Sequence, residues 1–173
     1  MIYIKSSTEI AKMKVSGRIV YETLKEVEKH IKAGITTKEL DQIAKEYILS
    51  QGAKPSFLGY SGYPASICAS VNEVVIHGIP SDRKLQEGDI ISIDVGAVKD
   101  GYHGDAARTF AVGNISPEAK RLMDVTKQSF FEGIRFATKG HRVSDISHAI
   151  QTYVESNGFS VVRSFVGHGV GAQ

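Results

Sequence analysis

The chain has 173 residues, 42% of them hydrophobic and 23% charged, enough for a sizeable core and too ordinary a mixture for a disordered or fibrous protein. Its 21 Lys and Arg against 19 Asp and Glu leave a net charge of +2, which gives no ground for a protein built to bind nucleic acid. Cys68 is the single cysteine and excludes an internal disulfide; no apolar stretch approaches the ~20 residues of a membrane helix and no signal-peptide core opens the chain, so a soluble protein of the reducing cytoplasm is expected.

Ile10, Met13, Gly17, Val20, Leu24, Val27 and Ile31 recur at spacings of three and four, which predicts a long helix from Ser7 that Gly34 stops. Lys5, Lys12, Lys14, Arg18 and Lys25 enrich the same region in positive charge and read as its solvated face. A second helix follows. Thr36 and Glu39 have capping-box spacing, Leu40, Ile43 and Tyr47 share a face, and Gly52 supplies a left-handed end.

Strands and loops occupy the next stretch. In Asn72-Glu73-Val74-Val75-Ile76-His77-Gly78-Ile79-Pro80 an apolar run ends in a Gly and Pro turn, which holds His77 at a loop mouth. A hydrogen-bonding role there and an ordinary satisfied loop histidine are both open.

Ile90 to Phe110 reads as a β-hairpin: Ile91, Ile93 and Val95 alternate, Asp100-Gly101 makes a type I′ turn, and a strand returns. That turn makes Gly96 face Asp105 and Asp94 face Ala107. Asp94 and Asp105 then share one side of the ladder as diagonal neighbours, about 7–8 Å apart at the backbone. Two carboxylates aimed at one point repel unless a cation sits between them, and oxygen donors suit hard or borderline divalent metals. A solvated strand face carrying two acids is the other reading of the hairpin alone.

The helical pattern then returns. Ser116, Pro117 and Glu118 form a strong helix start, with the helix expected to run to about Gly140. Ile146, Ala149, Tyr153 and Gly158 repeat Leu40, Ile43, Tyr47 and Gly52 at a constant offset of 106, as do Gly140 with Gly34 and Ser156 with Ser50. Such agreement at the stops and buried faces points to structural duplication. The first copy spends 61 residues between Gly52 and Gly113 on strands and loops, whereas 15 separate Gly158 from Gln173, so the second copy is expected to be incomplete and the sheet to have an exposed edge. In the last segment, Phe165-Val166-Gly167-His168-Gly169-Val170-Gly171, glycines flank a histidine that could reach a metal or simply be structural.

Together, NEVVIHGIP, IDVGAVKDGYHGDAARTF and FVGHGVG, in this order and spacing over essentially the whole chain, closely resemble the type I methionine aminopeptidases. The resemblance implies an α+β pita-bread fold of the creatinase/aminopeptidase kind: duplicated helix-helix-strand halves around an antiparallel sheet, here one domain with a first half of about 1–113 and a partial second half of about 114–173. It implies removal of N-terminal methionine from peptides or nascent proteins with two divalent ions, drawn from Mn, Fe, Co or Zn. By this resemblance Asp94 binds one ion, Asp105 bridges both, His168 ligates the second, and His77 contacts the scissile amide. Phe57, Tyr60, Tyr63 and Cys68 match the methionine pocket, with Phe57 larger than the residue many relatives carry.

The family's two Glu ligands, one of them the usual general base, and its second substrate-contacting His fall beyond Gln173, so little activity is expected of these 173 residues alone. Ribosome association is a further partner the resemblance allows, and a membrane partner is not expected. An Xaa-Pro peptidase or creatinase-like hydrolase of the same fold is one alternative; a non-catalytic ribosome- or RNA-associated module is another.

Overall fold

The computed structural model describes residues 3–172. They divide into two compact units, residues 3–115 with 170–172, and residues 116–169.

The first unit contains helices α1 (Ser7–Glu28) and α2 (Thr37–Ser50) and strands β1 (Lys54–Pro55), β2 (Ile67–Val71), β3 (Ile90–Lys99) and β4 (Tyr102–Ala111). All pairings are antiparallel: β4 runs along one edge of β3 for its whole length, while β2 and then β1 share the other. The period of two sorts the residues. Ile91, Ile93, Val95 and Ala97 of β3, with Ile67, Ala69 and Val71 of β2, join Val20, Leu24 and Val27 of α1 and Leu40, Ala44 and Ile48 of α2 in one core. Burying each large aliphatic side chain there contributes roughly 1.5–3 kcal/mol. The alternate residues, Cys68 and Ser70 on β2 and Ser92, Asp94 and Gly96 on β3, are left to the other face.

Helix α1 starts on a capping box. The Glu9 N–H donates to Ser6 Oγ at 3.3 Å, and Glu9 Oε2 accepts from the Ser6 N–H at 2.7 Å. The same carboxylate anchors the hairpin, because the Tyr102 hydroxyl donates to Glu9 Oε1 at 2.7 Å while Lys12 Nζ lies 5.5 Å from the Tyr102 ring centroid. The Ser6 N–H first, then the Tyr102 and Ser6 hydroxyls, lower the Glu9 pKa from 4.5 to about 2. A depressed carboxylate contributes stability that is full above its unfolded pKa and lost as pH falls toward the folded one. The urea midpoint of Glu9→Gln should therefore lie below that of the parent at about pH 6, and the gap should close between about pH 4.5 and 2. A gap unchanged across that range would show that Glu9 titrates normally.

The expected stop at Gly34 is corrected: α1 ends at Glu28. The following residues leave the helix to pair sideways, with the Gly34 N–H donating to Leu85 O and the Leu85 N–H donating to Ile35 O, both at 2.8 Å. Ile10, assigned to the buried face, is 43% exposed, since the buried stripe begins at Ser16.

The second unit holds α3 (Pro117–Ile134) and α4 (Val143–Ser156). Ser116 caps α3 through the Ala119 N–H at 3.1 Å. This helix stops at Ile134, short of Gly140, where turns at Phe136 and Ala137 take over and Phe136 packs edge-on to His141. Gly133 allows close approach to α4, since a Cβ there would lie 2.7 Å from Ile150.

The duplication is explicit in the elements. Both ends of α2 and α4, Thr37–Ser50 and Val143–Ser156, and the ends of α1 and α3, Glu28 and Ile134, are offset by 106. The glycines agree in conformation too, with φ of 94° and 98° at Gly34 and Gly140 and of 65° and 78° at Gly52 and Gly158. Even the end-of-helix hydroxyls match: Ser50 Oγ donates to Tyr47 O at 2.7 Å and Ser156 Oγ to Tyr153 O at 2.9 Å.

Candidate metal centre

The hairpin turn has the left-handed backbone that type I′ demands, with φ of 52° at Asp100 and 78° at Gly101. The resulting register places Asp94 opposite Ala107 and Gly96 opposite Asp105, so both carboxylates lie on the sheet face that carries no core residues of β3. On the other side of β3, Cys68 is directly opposite Asp94. Cys68 is only 5% exposed, and burial raises its thiol pKa, with the Asp94 and Asp105 charges adding to the rise and the Tyr63 hydroxyl opposing it. Both carboxylates thus act electrostatically on one buried thiol. Two carboxylates on one sheet face beside a soft sulfur are donors of the kind that suit a divalent ion.

Gly96 brings Phe57 onto the same sheet face. A Cβ at this position would stand 2.5 Å from the Phe57 ring and 2.9 Å from Ser56, so only glycine lets Phe57 lie on the strand beside the carboxylates. Tyr63 approaches from the other side, donating its hydroxyl to Ile67 O at 3.1 Å. Phe57, Tyr63, Cys68, Asp94 and Asp105 are therefore drawn to one face of the sheet. Tyr60 lies in a single 3-10 turn (Tyr60–Gly62) and is 75% exposed.

His77 occupies the exposed loop after β2, in a left-handed conformation with φ of 56°. The loop is held at its start by Asn72, whose side chain donates to Asp89 Oδ1 at 2.8 Å and accepts from the Ile90 N–H at 3.0 Å. His168 belongs to the second unit; it is exposed in an irregular segment, with Nδ1 3.2 Å from Gly169 O. Among the described residues no group of three or more His, Cys, Asp and Glu side chains is gathered closely enough to hold an ion. The sheet register sets Asp94 and Asp105 as diagonal neighbours on one face.

Several supporting residues carry no motif. Asp41 on α2 accepts from the Ser66 and Ile67 N–H groups at 2.7 and 3.0 Å and so fixes the start of β2. Ser56 Oγ and His103 Nδ1 are 2.8 Å apart across β3. The His103 N–H, on the outer edge of β4, donates to Gly171 O at 2.8 Å. Beyond that contact Asp105, Ala106, Ala107 and Arg108 are exposed, and no described strand pairs with this edge.

Comparison with known proteins supplies the remaining observations. The pattern of metallopeptidase family M24 matches residues 11–173. A methionine aminopeptidase of Clostridium acetobutylicum is 59% identical, with the alignment covering 100% of this chain and 70% of that protein. The crystal structure of methionine aminopeptidase from Thermotoga maritima superposes with a TM-score of 0.97 at 45% identity, covering 100% of this chain and 70% of its own. X-Pro aminopeptidase from the same organism is similar in fold alone, with a TM-score of 0.82, 23% identity, and coverage of 98% of this chain and 47% of that one. These neighbours share the pita-bread fold, of which this chain spans about 70% of the methionine aminopeptidase length.

Proposed function

This chain belongs to the methionine aminopeptidases of metallopeptidase family M24, and from that premise we propose that its carboxylate-bearing sheet face is the metal and methionine site of an enzyme that removes N-terminal methionine. The observation that carries the reading is the register that sets Asp94 and Asp105 diagonally on one face, with Cys68 directly across from Asp94. In this reading Asp94, Asp105 and His168 would be the residues that hold the divalent ions, with Asp105 shared between two of them. Mn, Fe, Co and Zn all suit this carboxylate and imidazole set. When bound, such ions supply Lewis acidity toward a scissile carbonyl and lower the pKa of coordinated water.

The protein's residues do the rest. Cys68, Tyr63, Phe57 and Tyr60 form the pocket for the methionine side chain, where a neutral buried thiol and aromatic rings suit a thioether. Burial and the neighbouring carboxylates keep Cys68 in its thiol form, so it packs against the substrate and does not attack it. His77, at the loop mouth, donates to or accepts from the scissile amide. The substrates are peptides and nascent chains that begin with methionine, met in the cytoplasm and at the ribosome. No described helix is long and apolar enough to cross a membrane.

The test is methionine release from a Met-Ala peptide with added Mn²⁺, Co²⁺ or Fe²⁺, run beside an Xaa-Pro peptide. Cleavage should fall on Met-Ala. Because residues 1–173 offer three ligands and no glutamate matched to the family's general base, turnover should be about tenfold or more below that of a full-length homologue. Preference for the Xaa-Pro peptide would sink the assignment; turnover within about tenfold of the homologue would overturn the expected deficit.

A further inference from the structure

Of the proposed functional side chains in the first unit, His77 has the least support around it. Its backbone is left-handed, a conformation a non-glycine residue keeps only when its surroundings enforce it. On the N-terminal side, Glu73, Val74, Val75 and Ile76 are all exposed and offer little to enforce it. On the C-terminal side stands Gly78, pressed against β2 so closely that a Cβ would lie 2.3 Å from Ala69 O and 2.9 Å from Ala69 C.

Three hydrogen bonds fix Gly78. Its N–H donates to Ser70 Oγ at 3.1 Å, and its carbonyl accepts from the Ala69 N–H at 2.8 Å and, at 3.1 Å, from the Tyr63 hydroxyl, whose one proton it shares with Ile67 O. The first of these sets the plane of the His77–Gly78 peptide and thereby ψ of His77. The other two fill both lone pairs of the Gly78 carbonyl and fix the following peptide. Ser70 is buried, on the same face as Cys68 and Asp94. Burial and the Cys68 neighbour raise the Tyr63 pKa far above its ordinary value, so its hydroxyl remains a donor.

We propose that Ser70 and the Tyr63 hydroxyl are positioning residues for His77: by clamping Gly78 to β2 they hold the imidazole in one orientation at the mouth of the methionine pocket. The proposal rests on the reading of His77 as the substrate-contacting histidine. It gives Tyr63 a second task beside lining the pocket, and gives Ser70 a task that no sequence motif announces.

NMR of the full 173-residue chain tests the clamp without any turnover. Ser70→Ala should speed exchange of the Gly78 amide by about tenfold or more, as the loss of a buried hydrogen bond would. It should also broaden or split the His77 ring signals while leaving those of α1 and α2 unchanged. Tyr63→Phe, which keeps the ring as a pocket wall, should speed exchange of the Ala69 amide and disturb His77 in the same sense. If Ser70→Ala does not fold, Tyr63→Phe decides by the same readout. Gly78 and Ala69 exchange within about twofold of the parent, with sharp His77 signals, would overturn the clamp. Titrating the parent with methionine amide and diamagnetic Zn²⁺ separates the two claims: an unmoved His77 ring would sink the substrate-contact reading, while the exchange data would still decide the clamp.

Discussion

Asp105→Asn is expected to weaken Mn²⁺ binding by about 100-fold or more, since loss of a mere outer-shell partner already costs 10–100-fold and a bridging carboxylate serves two ions directly. Asn keeps the shape of the side chain but removes its charge, so the change acts on the ion and not on packing. Asp105 is exposed on β4 and faces Gly96 across the ladder. Asp94→Asn should cost less, because in the proposed arrangement that carboxylate serves one ion. The metal-free chain provides the internal control. With no cation between them the two carboxylates repel, so the urea midpoint of metal-free Asp105→Asn should not fall below that of the parent. Calorimetric titration with Mn²⁺ gives the affinity, and Asp82→Asn, a solvated carboxylate whose side chain is 91% exposed, should leave it unchanged. Retention of the parent affinity within about threefold by Asp105→Asn would remove Asp105 from the ligand set.

The carboxylate register was legible because a hairpin with an Asp-Gly turn has one arithmetic: the turn chemistry fixes which residues face each other, and alternation fixes the face. The helix repeat was legible for a similar reason, since the offset of 106 links residues whose conformations are forced, such as Gly52 and Gly158. Helix lengths were not. Gly34 has the expected left-handed backbone, yet α1 had already ended at Glu28, and Gly34 and Ile35 pair with Leu85. The supports of the site were equally hidden. Asp41 meets Ser66 and Ile67 across 25 and 26 residues, and Ser56 meets His103 across 47; single polar residues at such separations leave no periodicity to read. Ser70 is the sharpest case, because within β2 it looks like one more short strand residue, and its partner lies in a loop.

The stability of the site's platform turns on Gly104, three positions after the turn's Gly101. Gly104→Ala is expected to destabilise the chain by about 3 kcal/mol, the upper part of the range for forcing extra methyl groups into packed structure. At Gly104 the backbone of β4 meets the backbone of α1: an added Cβ would lie 2.6 Å from Gly17 N, 2.7 Å from Ser16 C and 2.8 Å from Gly17 Cα. None of those atoms is the flexible end of a side chain. The helix also cannot retreat without breaking the Ser16 Oγ hydrogen bond to Tyr102 O at 2.7 Å and the Tyr102 bond to Glu9. Gly17, on the helix side of the same crossing, makes the contrast. A Cβ there meets nothing within 4 Å, and Gly within a helix costs ~0.5–1 kcal/mol relative to Ala, so Gly17→Ala should be neutral or stabilising. Urea unfolding of both variants decides the point. A Gly104→Ala midpoint equal to the parent's would mean that α1 can slide on β4, and the adjacent Asp105 would then lose the rigid support that the bridging role proposed for it requires.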